Sequence, residues 1–406
     1  MQVVHERCCG LDVHKRVVVA CVLTAAGRTT RSFGTMTEDL ERLAGWLEEC
    51  AVTHVAMEST SVFWKPISNV LEGRAFALLV VNAQHMKAVP GKKTDVKDAE
   101  WIADLLRHGL LNASFIPARA ERELRELVRY RKALIRERAS EANRLQKMLE
   151  GANIKLASVA TDVLGRSGRA MIDALIAGIA DPVVLAGLAR GTLKAKEADL
   201  QRALRGVVGS HQQLLLAAQM RHIAYLEGEI ERLGQEIAAR QQALESALSQ
   251  LQTIPGIGRR TAEVVLAEIG ADLRRFPTAA HLASWAGLCP GQHESAGKRR
   301  SGRTRRGSAA LREALTGAAR AAARTRRCYL AAQYRRLAAR RGANRAAVAV
   351  AHSILVIIYH LLTTGGVYQD LGANYFDERD RTATVNRAVA RITRLGYEVT
   401  LTPRAA

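Results

Sequence analysis

TDVKDAEWIADLL, residues 94–106, puts Asp95 and Asp98 three residues apart at the head of a helix, directly after the basic, glycine-containing loop 90–93. Acidic residues suit a helix N-terminus, where the macrodipole favours them. Residues at i and i+3 also share one helix face, ~5–6 Å apart at Cβ. That is a suitable arrangement of hard oxygen donors for a divalent cation. The choice between these two roles decides the fold of the first hundred residues, because a pair of ligands needs further acids on neighbouring strands.

Reading outward from the helix, residues 1–110 alternate strand and helix signals. RCCGLDV, RVVVACVLT and TTRSFGT read as three strands, the second and third joined by the turn AAGR. TEDLERLAGWLEECA is an amphipathic helix with Thr37 as its expected N-cap. HVAMES and FALLVVN are two more strands, with a helix between them. The order βββαβαβα is that of an RNase H-like domain, a mixed sheet with helices on its faces. In such a sheet the first and fourth strands lie side by side and the last helix packs across them. Asp12 ends the first strand and Glu58 the fourth. Asp12, Glu58, Asp95 and Asp98 therefore converge, and their mutual repulsion is relieved by metal. Mg²⁺ fits, with Mn²⁺ as a substitute. A pair of ions ~3.5–4 Å apart would stabilise the attacking and leaving oxygens of a phosphoryl transfer. Lys92, Lys93 and Lys97 are expected phosphate contacts beside them. His14, two residues beyond Asp12, is read as pointing elsewhere from the strand end.

Past this domain, residues 118–150 form one long charged helix, and 158–208 are helical but weakly patterned. Leu216, Ile223, Ile230, Ile237, Leu244 and Leu251 recur at seven-residue spacing, with Met220, Leu226, Leu233 and Leu248 between them. That is a coiled-coil seam over five heptads, predicting a homodimer or tetramer. The alternative is a hairpin with the 118–150 helix inside one chain. LQTIPGIGRRTAEVVLAEIG (251–270) reads as a helix-hairpin-helix whose glycines, Gly256 and Gly258, offer N–H groups to a phosphate beside Arg259 and Arg260. The reading divides the chain into 1–117, 118–250, 251–365 and a tail, 366–406. Of the formal net charge of +21, the segment Gly291–Arg345 carries +14, from 16 basic residues against two acids. This is the footprint of a phosphate-binding surface. The apolar run Ala346–Leu362 contains two histidines and is short for a span of ~20 residues. A buried helix and no membrane are expected. The six cysteines form no CxxC pair, and Cys8 and Cys9 point to opposite faces of a strand, which suits reduced thiols in a cytoplasmic protein.

GLDVHK, AMESTSVFW, KTDVKDAEWIADLL, IPGIGRRTAEVVLAEIG and LASWAGLCPGQHESAGK occur in that order. Together they resemble the DEDD transposases of insertion sequences, the family that includes the Piv-type DNA invertases. The resemblance runs over almost the whole chain, including the tail YQDLGANYFDERD. It implies a RuvC-like N-terminal domain, a coiled coil that mediates dimerisation, and a mostly helical C-terminal transposase domain. Asp12, Glu58, Asp95 and Asp98 fall on the family's four acidic positions. The family also uses a serine nucleophile that becomes covalently joined to DNA, and the matching position here is Ser295, with Ser301 and Ser308 as rivals. This sequence has Ser-Ala-Gly where the family commonly has Ser-Gly. Lys298, Arg299, Arg300, Arg303, Arg305 and Arg306 follow as expected nucleic-acid contacts. The resemblance further implies donor and target DNA as substrates, a structured guide (bridge) RNA, and a nucleoid-associated protein of a prokaryote. Two other readings stay open: a Holliday-junction-type endonuclease that uses only the acids, and a nucleic-acid-binding protein with no catalysis.

Overall fold

The computed structural model describes residues 2–59, 62–82, 97–291, 293–295, 298–301, 304–305 and 307–402. The chain forms two compact units, 1–118 and 119–406.

Unit 1 is built on a five-stranded sheet of order β3-β2-β1-β4-β5, from β1 (Cys8–Val13), β2 (Val17–Thr24), β3 (Gly27–Gly34), β4 (His54–Glu58) and β5 (Ala77–Val81). The β1–β2 and β2–β3 pairs are antiparallel, whereas β1–β4 and β4–β5 are parallel. This is the mixed sheet expected from the sequence. Period-two alternation sorts the side chains. Cys9, Leu11 and Val13 pack under α1 (Thr37–Glu49) and α2 (Trp64–Leu71). Cys8, Cys21 and Ala56 pack on the other face under Ala99, Ile102, Ala103 and Leu106 of α3 (Lys97–Arg107). Cys8 and Cys9 thus face opposite ways. Thr37 begins α1 rather than capping it; Met36 holds the N-cap position without a side-chain hydrogen bond.

The contact that positions α3 is at Gly10. A Cβ there would lie 2.3 Å from both the Ala99 carbonyl oxygen and the Ala103 amide nitrogen. Only a residue without a side chain lets the helix backbone lie directly on β1.

Unit 2 is helical except for one short hairpin. Two long helices, α4 (Arg119–Gly151) and α9 (Ser210–Arg240), lie antiparallel against each other. Between them in sequence come α5 (Leu156–Val159), α6 (Arg166–Ile176), α7 (Pro182–Gly187) and α8 (Glu197–Ala203). Leu145 and Leu149 cluster with Leu216 and Ile223, Leu134 with Leu226 and Ile230, and Leu124 and Val128 with Ile237. The heptad positions from Leu216 to Ile237 are therefore buried inside one chain, as in the hairpin alternative. Nor is the seam continuous. Helix α9 stops at Arg240, a 3₁₀ turn follows at Gln242–Leu244, and Leu248 and Leu251 belong to a separate core.

That core is formed by α10 (Glu245–Gln252), α11 (Arg259–Ile269), α12 (Ala279–Trp285), α13 (Ala309–Ala322), α14 (Tyr329–Arg341) and α15 (Ala343–Thr364). Helix α15 is long and apolar enough to cross a membrane. Here it is the central helix of the unit, burying Ala347, Val350, Ala351, Ile354, Leu355 and Ile358. The hairpin, β6 (His293–Ser295) and β7 (Lys298–Ser301), leads into α13, and α16 (Tyr375–Glu378) and α17 (Arg381–Thr393) end the chain.

Buried ion pairs join α4 to α11. Arg131 and Glu263, each about 5% exposed at the side chain, meet at 2.6 Å. Arg129 grips Glu268 with two hydrogen bonds of 2.7 and 2.9 Å. Arg125 donates to the carbonyls of Ala267 and Glu268, at the C-terminal end of α11 where carbonyls lack helical partners.

Candidate active site and nucleic-acid interface

In unit 1, Asp12 is the fifth residue of β1 and Glu58 the last of β4. The parallel register pairs Leu11 with Met57. One residue further on, Asp12 and Glu58 are neighbours, at the same alternation as Gly10 and Ala56 and so on the face covered by α3. Asp98 stands in the first turn of α3, adjacent to the Ala99 that rests on Gly10. All three acids are partly buried. Two adjacent strand ends and one helix start thus bring Asp12, Glu58 and Asp98 to one end of one face. Asp95, Lys92 and Lys93 lie outside the described residues, and Lys97 opens α3. Among the described residues, no three His, Cys, Asp or Glu side chains gather closely enough to hold an ion. The donor set is nonetheless chemically suited to Mg²⁺: carboxylate oxygens only, with no soft ligand among the predicted four.

His14 does not point away as expected. Its Nε2 lies 3.0 Å from Asp12 Oδ2, with Asp12 15% exposed and His14 53%. The chain turns back after β1, the His14 amide donating to the Val17 carbonyl, and this folds the imidazole over the strand end. Sequence reasoning had only the two-residue spacing, which does not set the direction of a residue beyond the strand.

The cysteines of the sheet have a different character. Burial pushes the Cys8 thiol up to about 11 and the Cys9 and Cys21 thiols above their usual range. All six cysteines are free. With so little thiolate at neutral pH, these three are packing groups rather than nucleophiles.

In unit 2, Ser295 is the last residue of β6 and pairs with Lys298, the first of β7; Ala296 and Gly297, between them, lie outside the described residues. The serine stands at the end of a two-stranded ribbon. Arg299 pairs with Glu294, Ser301 with His293, and Pro290 bridges to Thr304 at the ribbon's base. The base is anchored on the end of α12: a Cβ on Gly307 would lie 2.4 Å from the Ala286 carbonyl. Arg300 is on β7, Arg305 is exposed, and Arg303 and Arg306 lie outside the described residues. Of the rival serines, Ser308 is committed to structure. Its Oγ accepts from the Leu311 amide as the cap of α13 and donates to Glu268 at 2.9 Å.

Where the helix-hairpin-helix is expected, α10 and α11 are joined by a turn, and the basic residues there differ from the sequence expectation. Arg259 is engaged within the chain, with Glu245 at 2.5 Å and Glu263 at 2.9 Å. Gly256, at φ +90°, packs its backbone on α13, where a Cβ would lie 2.3 Å from the Ala318 carbonyl. Its glycine serves that close approach. Gly258, the N-cap of α11, has open space around it, and Arg260 is exposed. These two remain suited to an external phosphate.

Charge divides sharply between the units. Residues 1–118 hold 13 basic and 13 acidic residues and are neutral overall; residues 119–406 hold 47 basic against 26 acidic, the whole +21. Beside the ribbon's base, α13, α14 and α15 enclose a groove of about 1100 Å³ whose wall includes Pro290 and Thr304.

Comparison with known proteins finds two matched regions, the first of which extends beyond unit 1 into unit 2. Residues 9–154 match the transposase model for the DEDD domain of IS110-type elements. Residues 248–335 match the transposase family IS116/IS110/IS902. The transposase of insertion sequence element IS1111A from Coxiella burnetii is 26% identical over 304 residues, 73% of this chain and 74% of that protein. An insertion element IS110 protein of Streptomyces coelicolor is 60% identical over 40 residues, 10% of each chain. The pilin gene-inverting protein of Moraxella bovis is 50% identical over 52 residues, 13% of this chain and 16% of that one. With both domains matched in order, on a mixed-sheet unit followed by a helical one, the chain belongs to the IS110 family of transposases.

Proposed function

We propose that this transposase cuts, exchanges and rejoins DNA strands of an insertion sequence, with Asp12, Glu58, Asp95 and Asp98 as the metal-binding acids and Ser295 as the nucleophile. The observation that supports the reading is the placement of Asp12, Glu58 and Asp98 at one end of one sheet face, at the ends of two adjacent strands and the start of the helix seated on Gly10. Bound Mg²⁺, or Mn²⁺ in its place, would supply Lewis-acid stabilisation of charge on the phosphate oxygens. Ser295 Oγ attacks the scissile phosphorus, the bond to the leaving strand's oxygen breaks, and that strand departs with a hydroxyl. The hydroxyl of the incoming strand then displaces Ser295. One phosphoester is exchanged for another at each step, so no external energy source is needed. A serine is a weak nucleophile unless activated. Lys298, paired with Ser295 across the ribbon, and the neighbouring Arg299 and Arg300 supply positive charge near the developing anion.

Donor and target DNA are the proposed substrates. A structured guide RNA is the proposed source of sequence choice, in keeping with the charge of +21. A homodimer or tetramer is the proposed assembly, and it must use surfaces other than the α4–α9 seam. The test is adduct trapping on a DNA carrying the element's ends: the wild type forms a protein–DNA link that survives SDS, and Ser295→Ala forms none. An adduct with Ser295→Ala moves the role to Ser301. Cleavage by the wild type without any adduct, leaving a free phosphate end, supports the endonuclease reading instead.

A further inference from the structure

The groove beside the ribbon carries three arginines from three helices: Arg312 of α13, Arg341 at the end of α14 and Arg345 at the start of α15. Among the described residues, no acidic side chain lines it. Elsewhere in unit 2 arginines are commonly neutralised: Arg129, Arg131, Arg138, Arg169, Arg240 and Arg259 each meet a glutamate. Arg312, Arg341 and Arg345 enter no ion pair among the described residues. Like charges gathered around one concavity repel one another, and an anion bound between them relieves that repulsion. The groove's remaining wall is partly aliphatic, with Leu337 and Val348. Guanidiniums over an aliphatic surface match the alternation of phosphate and sugar in a nucleic-acid strand. A concavity of about 1100 Å³ has the volume for a few nucleotides of an unpaired strand and not for a turn of duplex. The groove also leads to the chemistry, since Pro290 and Thr304 in its wall close the base of the ribbon that bears Ser295.

We infer that this groove seats the backbone of an unpaired DNA strand and leads it to the Ser295 ribbon, with Arg312, Arg341 and Arg345 as its phosphate contacts. The identity of the strand rests on Ser295 being the nucleophile; the seat itself does not.

The test uses the full chain with EDTA present, so no chemistry is read. Binding of a short single-stranded DNA is followed by fluorescence anisotropy over a range of salt. Each phosphate contact on a single strand contributes ~0.7 to the slope of log affinity against log salt. The triple variant Arg312→Gln/Arg341→Gln/Arg345→Gln should flatten the slope by about 2. The single variant Arg345→Gln, changing an exposed residue that leaves no buried partner behind, should flatten it by about 0.7. A variant of equal charge loss outside the groove, Arg335→Gln/Arg340→Gln/Arg391→Gln, should change it much less. An unchanged slope in the triple variant overturns the proposal. So does an equal loss in the outside variant, which would make the effect one of net charge alone. A loss confined to RNA of the same sequence also overturns it, because the strand would then be the guide. Since Ser295 takes no part in this measurement, failure of the adduct experiment and failure of this one are separate results.

Discussion

At the scale of single residues, Gly10 holds more of the candidate site's geometry than any of its acids. Helix α3 carries Asp98, and its distance from β1 is set by the absence of a side chain at position 10. Gly10→Ala would place a methyl 2.3 Å from two backbone atoms of α3, and these cannot yield as the end of a flexible side chain can. The helix must lift. We expect a loss of about 1–3 kcal/mol in stability, the usual range for overpacking, and a larger proportional loss of strand transfer as Asp98 leaves the face it shares with Asp12 and Glu58. Thermal melting and a transposition assay measure the two; a variant with unchanged melting and activity would show that α3 is not seated this way. The strand-end positions of Asp12 and Glu58 were legible in the sequence, because a βββαβαβα order sets the first and fourth strands side by side. His14 was not, since its direction depends on a backbone turn after β1. Nor was the fate of Arg259, whose glutamate partners come from two helices, or of Ser308, which is a helix cap bonded to Glu268. Residue type suggests a capacity, and the neighbours decide whether it is already satisfied.

The same distinction governs the heptad helix at the scale of elements. Seven-residue spacing fixes that one face of a helix is apolar; it does not fix which helix covers that face. Helix α4 reads as charged along its length, yet Leu124, Val128, Leu134, Leu145 and Leu149 give it a stripe that the glutamates and arginines obscure. That stripe covers α9. Ile237, wholly buried, lies with Leu124, Val128 and Val264, so Ile237→Ala should destabilise the folded chain by about 2–5 kcal/mol. Light scattering should give the same molar mass as the wild type. A variant that falls to half the mass while keeping its melting temperature would return Ile237 to an interface between protomers. The Ser295 ribbon is the opposite kind of miss. Its strands are of three and four residues, too short for period-two patterning to be visible, and it is held by the backbone approach of Gly307 to α12.

On the scale of the whole molecule, the charge split separates the net positive charge from the candidate metal-binding acids. Polyanion affinity comes from neutralised phosphates and the counterions they release. A unit with 13 basic and 13 acidic residues offers no net attraction, while the unit with 47 against 26 supplies all of it. The basic segment 291–345 was plain in the sequence. Deleting acids from unit 1 therefore removes carboxylates from the reaction without removing cations from the nucleic-acid interface. We predict that Asp12→Ala, Glu58→Ala and Asp98→Ala each abolish strand transfer while leaving DNA affinity, and the slope of affinity against salt, at wild-type values. EDTA should do to the wild type what these substitutions do to the variants: stop strand transfer and spare binding. Two measurements on the same preparations decide it, a transposition assay and a salt titration of DNA binding. Acid variants that lose binding in step with activity would make these residues part of the fold or of the interface. Strand transfer that persists in EDTA would remove the metal from the mechanism and leave Ser295, with the cations beside it, to account for the chemistry alone.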